Sequence, residues 1–250
     1  MAKITRRTFA LIGACIAAAA CFATPLSAAE APKSMSIGPP VPSPAAFLEL
    51  CSREPQFCVS GEAADAEKLA AIRSHALSQY WSTILPSVGA PPASGRPGGD
   101  AQRGFARQDR VAAPSEAFGH AFDWERVERL NREINTRIKH ASDERAYGLS
   151  DYWVVPNGAF PRGDCEDYVL AKRQALVEAG TPADRLAIAL VETRWGEAHA
   201  VLLLSTPKGE YVLDNLTPRI LHWTEVDYVW RERQLPGQPL AWAEVEGPRP

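Results

Sequence analysis

Apolar residues recur at helical spacing over the first two thirds of the chain and at strand-like spacing over the last third. A short helix is predicted to begin over 45–50 and to carry Cys51. A longer one spans 63–81, where Leu69, Ile72, Ala76, Leu77 and Tyr80 share a face, and it stops before Pro86. The clearest pattern follows Asp123, a good N-cap: Trp124, Val127, Leu130, Ile134 and Ile138 form one stripe with Arg and Glu on the other side. Another helix is expected over 164–179, closed by Gly180 and Pro182. Beyond it, 186–193, 199–204 and 210–213 read as strands separated by turn residues, among them Thr206-Pro207-Lys208-Gly209. Helices first and strands afterwards indicate an α+β fold, with helices packed on antiparallel sheet.

The stretches between these elements divide the chain. Lys3, Arg6 and Arg7 precede an apolar run from Phe9 to Phe22 and then the small residues Ser27-Ala28-Ala29, the layout of a cleavable secretory signal. The run is shorter than the roughly twenty residues that a membrane span needs. Thr5-Arg6-Arg7-Thr8-Phe9 has a twin-arginine look, which leaves folded export and ordinary export both open. The expected organisation is a signal peptide over 1–29, an N-terminal helical segment over 30–118 and a core over 119–250. Within the middle part, Pro39-Pro40-Val41-Pro42 reads as an extended linker. Residues 86–115, rich in Pro, Gly, Ala and Arg, read as a mobile insertion that serves as a lid or a substrate-contacting arm. No second apolar segment is long enough to span a membrane, so the mature chain is expected to be soluble, in the periplasm or secreted.

Composition adds exclusions. With 27 Lys and Arg against 30 Asp and Glu, the net charge of −3 offers no basic surface for nucleic acid. Five cysteines are present, and removal of the leader takes Cys15 and Cys21 with it, leaving Cys51, Cys58 and Cys165. Cys51 and Cys58 are close enough to pair in an oxidising compartment, the chain turning through Arg53-Glu54-Pro55. Cys165 is then an unpaired thiol in an exported protein, either a small buried hydrophobe or a reactive group.

Its surroundings favour the second. Gly163-Asp164-Cys165-Glu166-Asp167 places the thiol in the first turn of a helix, where unpaired N–H groups and the helix dipole favour an anion and can hold an oxyanion. Three flanking carboxylates would oppose thiolate formation. A hard cation removes that conflict, which makes Asp164, Glu166 and Asp167 candidate ligands for Ca2+; the bland alternative is dipole-stabilising surface charge. Of the five histidines, His199 opens the run Ala200-Val201-Leu202-Leu203-Leu204, and Asp214 closes the next strand. If Ser205 pairs with Glu210 across the turn, Leu203 faces Val212 and Val201 faces Asp214, leaving His199 diagonal to the carboxylate on one face. A register slip of one residue would separate them, and a solvated rim pair is the other reading. The order Cys165, His199, Asp214 fits a nucleophile, a base and the group that orients the base.

At Asp151-Tyr152-Trp153, Gly163-Asp164-Cys165-Glu166-Asp167-Tyr168, His199-Ala200-Val201-Leu202 and Val212-Leu213-Asp214-Asn215-Leu216 the sequence resembles the bacterial transglutaminase-like cysteine peptidases, over 122–230. The resemblance implies a papain/transglutaminase-like fold, periplasmic residence and a triad of Cys165, His199 and Asp214. It further implies calcium beside the nucleophile at Asp164, Glu166 and Asp167, a large surface adhesin as substrate in biofilm release, and restraint by an inner-membrane receptor. The 86–115 insertion departs from that pattern. Besides an endopeptidase, the same triad serves an acyltransferase or crosslinking enzyme, and the acidic turn alone would serve a non-catalytic calcium- and peptide-binding module.

Overall fold

The computed structural model describes residues 33–59, 66–84 and 123–246. Residues 1–29, expected to be a signal peptide, and the expected insertion over 86–115 lie outside the described residues. The elements are β1 (Ser36–Val41), α1 (Ala45–Arg53), α2 (Ala66–Ile84), α3 (Trp124–Arg137), β2 (Lys139–His140), α4 (Asp143–Ala146), β3 (Arg162–Gly163), α5 (Cys165–Glu178), β4 (Leu186–Thr193), β5 (Ala198–Thr206), β6 (Gly209–Leu213), β7 (Leu221–His222), β8 (Tyr228–Leu235) and β9 (Gln238–Glu246). Seven strands form one antiparallel sheet in the order β1-β9-β8-β4-β5-β6-β7, while β2 and β3 make a small parallel pair.

The helix boundaries follow local chemistry. Asp123 caps α3 by accepting the Arg126 N–H at 2.9 Å, and Gly180, at φ +93°, ends α5 in the left-handed conformation that its missing Cβ permits. The central strands are buried on both faces. Ile188, Ala200, Leu202 and Leu204 join a cluster with Phe47, Leu48 and Leu50 of α1 and Leu170 and Leu176 of α5. Their alternate neighbours Ala187, Ala189, Val201 and Leu203 meet Met35 and Trp223 on the other side. This explains why β4 and β5 are near-continuous apolar runs.

The β5–β6 register is the one the turn residues imply: Ser205 pairs with Glu210 and Leu203 with Val212. The ladder closes at Thr206 and Gly209, so the loop proper is only Pro207-Lys208. It ends at Leu202 and Leu213, one residue before Asp214.

Four strands do not stand out in the apolar pattern. The proline-rich stretch expected as a linker is β1 as far as Val41; its prolines are tolerated because it is an edge strand. Strands β8 and β9 are obscured by charge. Arg233 is 1% exposed yet fully paired, its guanidinium donating to both Glu210 oxygens at 2.6 and 2.8 Å, and the buried Gln234 accepts from the Ile188 N–H. Polar residues with all their partners occupy inward positions, so the strand loses its apolar alternation without losing its place. The short β7 carries too few residues for a pattern.

A disulfide joins Cys51 to Cys58, with Cα atoms 5.6 Å apart, and ties the end of α1 to the following turn. Arg53, between them, donates to Tyr152 Oη at 2.9 Å and to the Trp153 carbonyl at 2.8 Å, and lies over the Tyr152 ring. Closing this short loop is expected to contribute about 2–3 kcal/mol. The double substitution Cys51→Ser/Cys58→Ser should therefore lower the urea midpoint and, by releasing the unfolded chain, leave the slope equal or slightly steeper. An unchanged midpoint would show that the crosslink does not constrain the unfolded chain.

Candidate active site

Helix α5 and strand β5 are packed together, and their facing ends bring the sequence-predicted residues into one place. Cys165 is the first residue of α5 and is partly buried. The backbone N–H of Ala200 on β5, the residue after His199, favours the thiolate of Cys165. His199 is buried, and its Nε2 lies 2.8 Å from Asp214 Oδ1. A carboxylate can only accept, so Nε2 carries the proton and the neutral ring presents Nδ1 as its basic nitrogen. Nδ1 has no hydrogen-bond partner among the described residues.

Asp214 is held from several sides. Its Oδ1 also accepts the Leu216 N–H at 3.0 Å, and its Oδ2 accepts the Tyr228 hydroxyl. Burial opposes its ionisation, but the hydrogen bond from His199 and the charge that ring carries once protonated, with the hydrogen bonds of Tyr228 and Leu216, outweigh it and hold the carboxyl below its ordinary range. Tyr228 also meets the His199 ring edge-on at 5.8 Å between centroids. Sequence reasoning missed this tyrosine, and its only signal was an aromatic in a strand that the charges of β8 concealed. Lys172, two turns along α5, is 1% exposed; burial lowers its pKa to about 7, against the pull of Asp214.

The acids form a second constellation. Asp164 precedes α5 but does not cap it; its side chain turns away and accepts the Asp143 N–H at 3.1 Å. Asp143, Asp164 and Asp167 bring carboxylate oxygens within 4.8 Å of one another, as do Asp143, Asp151 and Glu166. The three expected ligands are thus divided between two overlapping groups, joined by Asp143, which sequence reasoning did not single out. Asp143 sits in the first turn of the four-residue α4, where an acid reads as ordinary dipole stabilisation. Asp167 is fully buried, accepts the Val154 N–H at 3.0 Å and lies over Gly163, where any Cβ would collide with its carboxylate.

This crowding resists ionisation. Burial chiefly, with neighbouring charges, raises Asp167 to about 8, Glu166 to about 7 and Asp143 to about 6. The Cys165 thiol donates to Glu166 Oε2 at 3.0 Å. Burial first, then the charge and hydrogen bond of Glu166, push its pKa up, and the Ala200 N–H only partly offsets this. Asp143 Oδ1 and Asp164 Oδ1 are buried without a partner, which is the donor set a hard, oxygen-seeking cation would satisfy. A groove of about 560 Å3 beside Leu48, Ile72, His75 and Trp242 does not include Cys165, His199 or Asp214.

Known proteins bear on this site in two ways. A family profile described as bacterial transglutaminase-like cysteine proteinase matches residues 107–249. Three structures of Legionella pneumophila LapG, one of them calcium-bound and another EGTA-treated, are similar at 18% identity and a TM-score of 0.39, covering 77% of this chain and 82–84% of theirs. No curated protein matches the chain.

The raised acids make stability depend on pH in a definite direction. Their folded pKa values lie above the unfolded ones, so the folded state binds more protons between about pH 4 and pH 8, and stability present below pH 4 is lost as pH rises through 6 to 8. In EGTA the melting temperature should fall across that window, and Asp167→Asn should flatten the fall. A melting temperature that rises from pH 5 to pH 8 in EGTA would contradict the arrangement.

Proposed function

Because the chain belongs to the bacterial transglutaminase-like cysteine proteinases, we propose that it is an exported cysteine endopeptidase with Cys165 as nucleophile, His199 as base and Asp214 as the orienting group. The observation that carries this reading is the buried Nε2–H of His199 held on Asp214 at 2.8 Å, on a strand packed against the helix that Cys165 begins. Nδ1 takes the thiol proton and the sulfur attacks the peptide carbonyl carbon. The oxyanion that forms lies by the first turn of α5, whose N–H groups lack intrahelical acceptors. The imidazolium then gives its proton to the leaving amine, and water, deprotonated by the same nitrogen, releases the acyl group from sulfur.

The acid cluster fits calcium. Asp143, Asp164, Asp167, Asp151 and Glu166 would hold it, and its charge would offset the carboxylates that keep the thiol protonated. Glu166, engaged by a cation, would also be a weaker acceptor for the thiol proton. A protein substrate follows from the reaction class. That it is a large surface adhesin, that an inner-membrane receptor restrains the enzyme, and that residues 1–29 direct it to the periplasm extend the reading along the family resemblance. Among the described residues, no helix is long and apolar enough to cross a membrane.

Iodoacetamide labelling of the purified protein, read at Cys165 by mass spectrometry, tests both parts. Rapid labelling near pH 7 in calcium, falling on EGTA treatment, is the expected result, with peptide hydrolysis abolished by Cys165→Ala. Labelling that appears only above about pH 8.5 and ignores EGTA would mean an ordinary thiol and would overturn the proposal.

A further inference from the structure

Asp214 is the first residue beyond the sheet. The β5–β6 ladder stops at Leu202 and Leu213, and the β6–β7 ladder at Val212 and Leu221, so the chain from 214 to 220 has no strand partner. Its carbonyls are met instead by α3. Asn135 Nδ2 donates to the Asp214 carbonyl at 2.8 Å and to the Thr217 carbonyl at 3.3 Å. Asn131, one turn earlier, donates to the Pro218 carbonyl at 3.3 Å. Both amides sit on the inner side of α3, among Val127 and Ile134.

The two contacts are not equivalent. The carbonyl of Asp214 and its side chain share one Cα, so fixing the first limits where the second points. The carboxylate already accepts from Leu216, His199 and Tyr228. Asn135 anchors the backbone of the same residue, and Asn131 secures the loop four residues further on.

We propose that Asn135 is a positioning residue for the reaction: from α3 it fixes the backbone of Asp214 and thereby the tautomer and orientation of His199. This rests on the reading of His199 as the base. A displacement of about 1 Å at such a site can cost two orders of magnitude in rate.

The test compares Asn135→Leu with Asn131→Leu in the full-length protein with calcium. Three quantities are measured: the melting temperature, the rate of Cys165 alkylation by iodoacetamide at pH 7, and the 15N signals of His199 with the ring neutral, assigned against His199→Gln. Asn135→Leu should slow alkylation roughly 10- to 100-fold and turn a single Nε2–H tautomer into a mixture. Asn131→Leu should lower the melting temperature comparably while alkylation stays within about 2-fold and the tautomer is kept. Asn135→Asp, which keeps the shape and removes the donor, gives the same reading where the leucine variant does not fold. Equal slowing in both asparagine variants, in proportion to lost stability, overturns the proposal, as does an unmoved tautomer. If wild-type Cys165 is itself unreactive at pH 7, the endopeptidase reading fails, and the tautomer comparison still decides the role of Asn135.

Discussion

Helix α5 lies on β5 with Leu170 and Leu176 in the same buried cluster as Leu202 and Leu204, and this packing fixes where the first residue of the helix meets the first residues of the strand. Position within the site is inherited from it. The backbone N–H of Ala200 on the strand favours the thiolate of Cys165, and the histidine one residue earlier is delivered alongside. A helix and a strand buried on both faces have little freedom to slide, because every displacement would open voids on two sides at once. The chemistry is therefore carried by rigid elements, and only Asp214 sits on a loop, where Asn135, Leu216 and Tyr228 restrain it.

The electrostatics pull in opposite directions at the two ends of this arrangement. Around Asp214 the donors outweigh burial and the carboxyl stays charged. Around Glu166 and Asp167 burial and the neighbouring charges outweigh the donors and the carboxyls resist charge. The thiol of Cys165, in the same helix turn, donates to Glu166. The same backbone thus holds one acid for its negative charge and a group of acids whose charge is costly without a cation.

Much of this was legible in the residues because it follows from local rules. Asp123, the α3 stripe and Gly180 mark helix ends by capping chemistry, and the Pro207-Lys208 turn sets a register that brings His199 near Asp214. What was not legible depends on partners far apart in sequence. Arg233 and Gln234 look like surface residues until Glu210 and Ile188 are seen to satisfy them. Tyr228 and Asn135 look like ordinary strand and helix residues, and their roles appear only when one is seen to meet the carboxylate of Asp214 and the other its backbone carbonyl. Asp143 is concealed in the same way, since a carboxylate at a short helix start gives no sign that two other acids will fold against it.

The guanidinium of Arg53 links two regions that the chain keeps a hundred residues apart. It stands between the crosslinked cysteines and grips the segment at Tyr152 and Trp153, next to Asp151. Oxidation of two thiols buried in the main core therefore stiffens the scaffold from which the acid cluster is hung. Maturation of the protein is in this sense mechanical: one covalent bond made early in the chain removes slack from a site assembled much later along it.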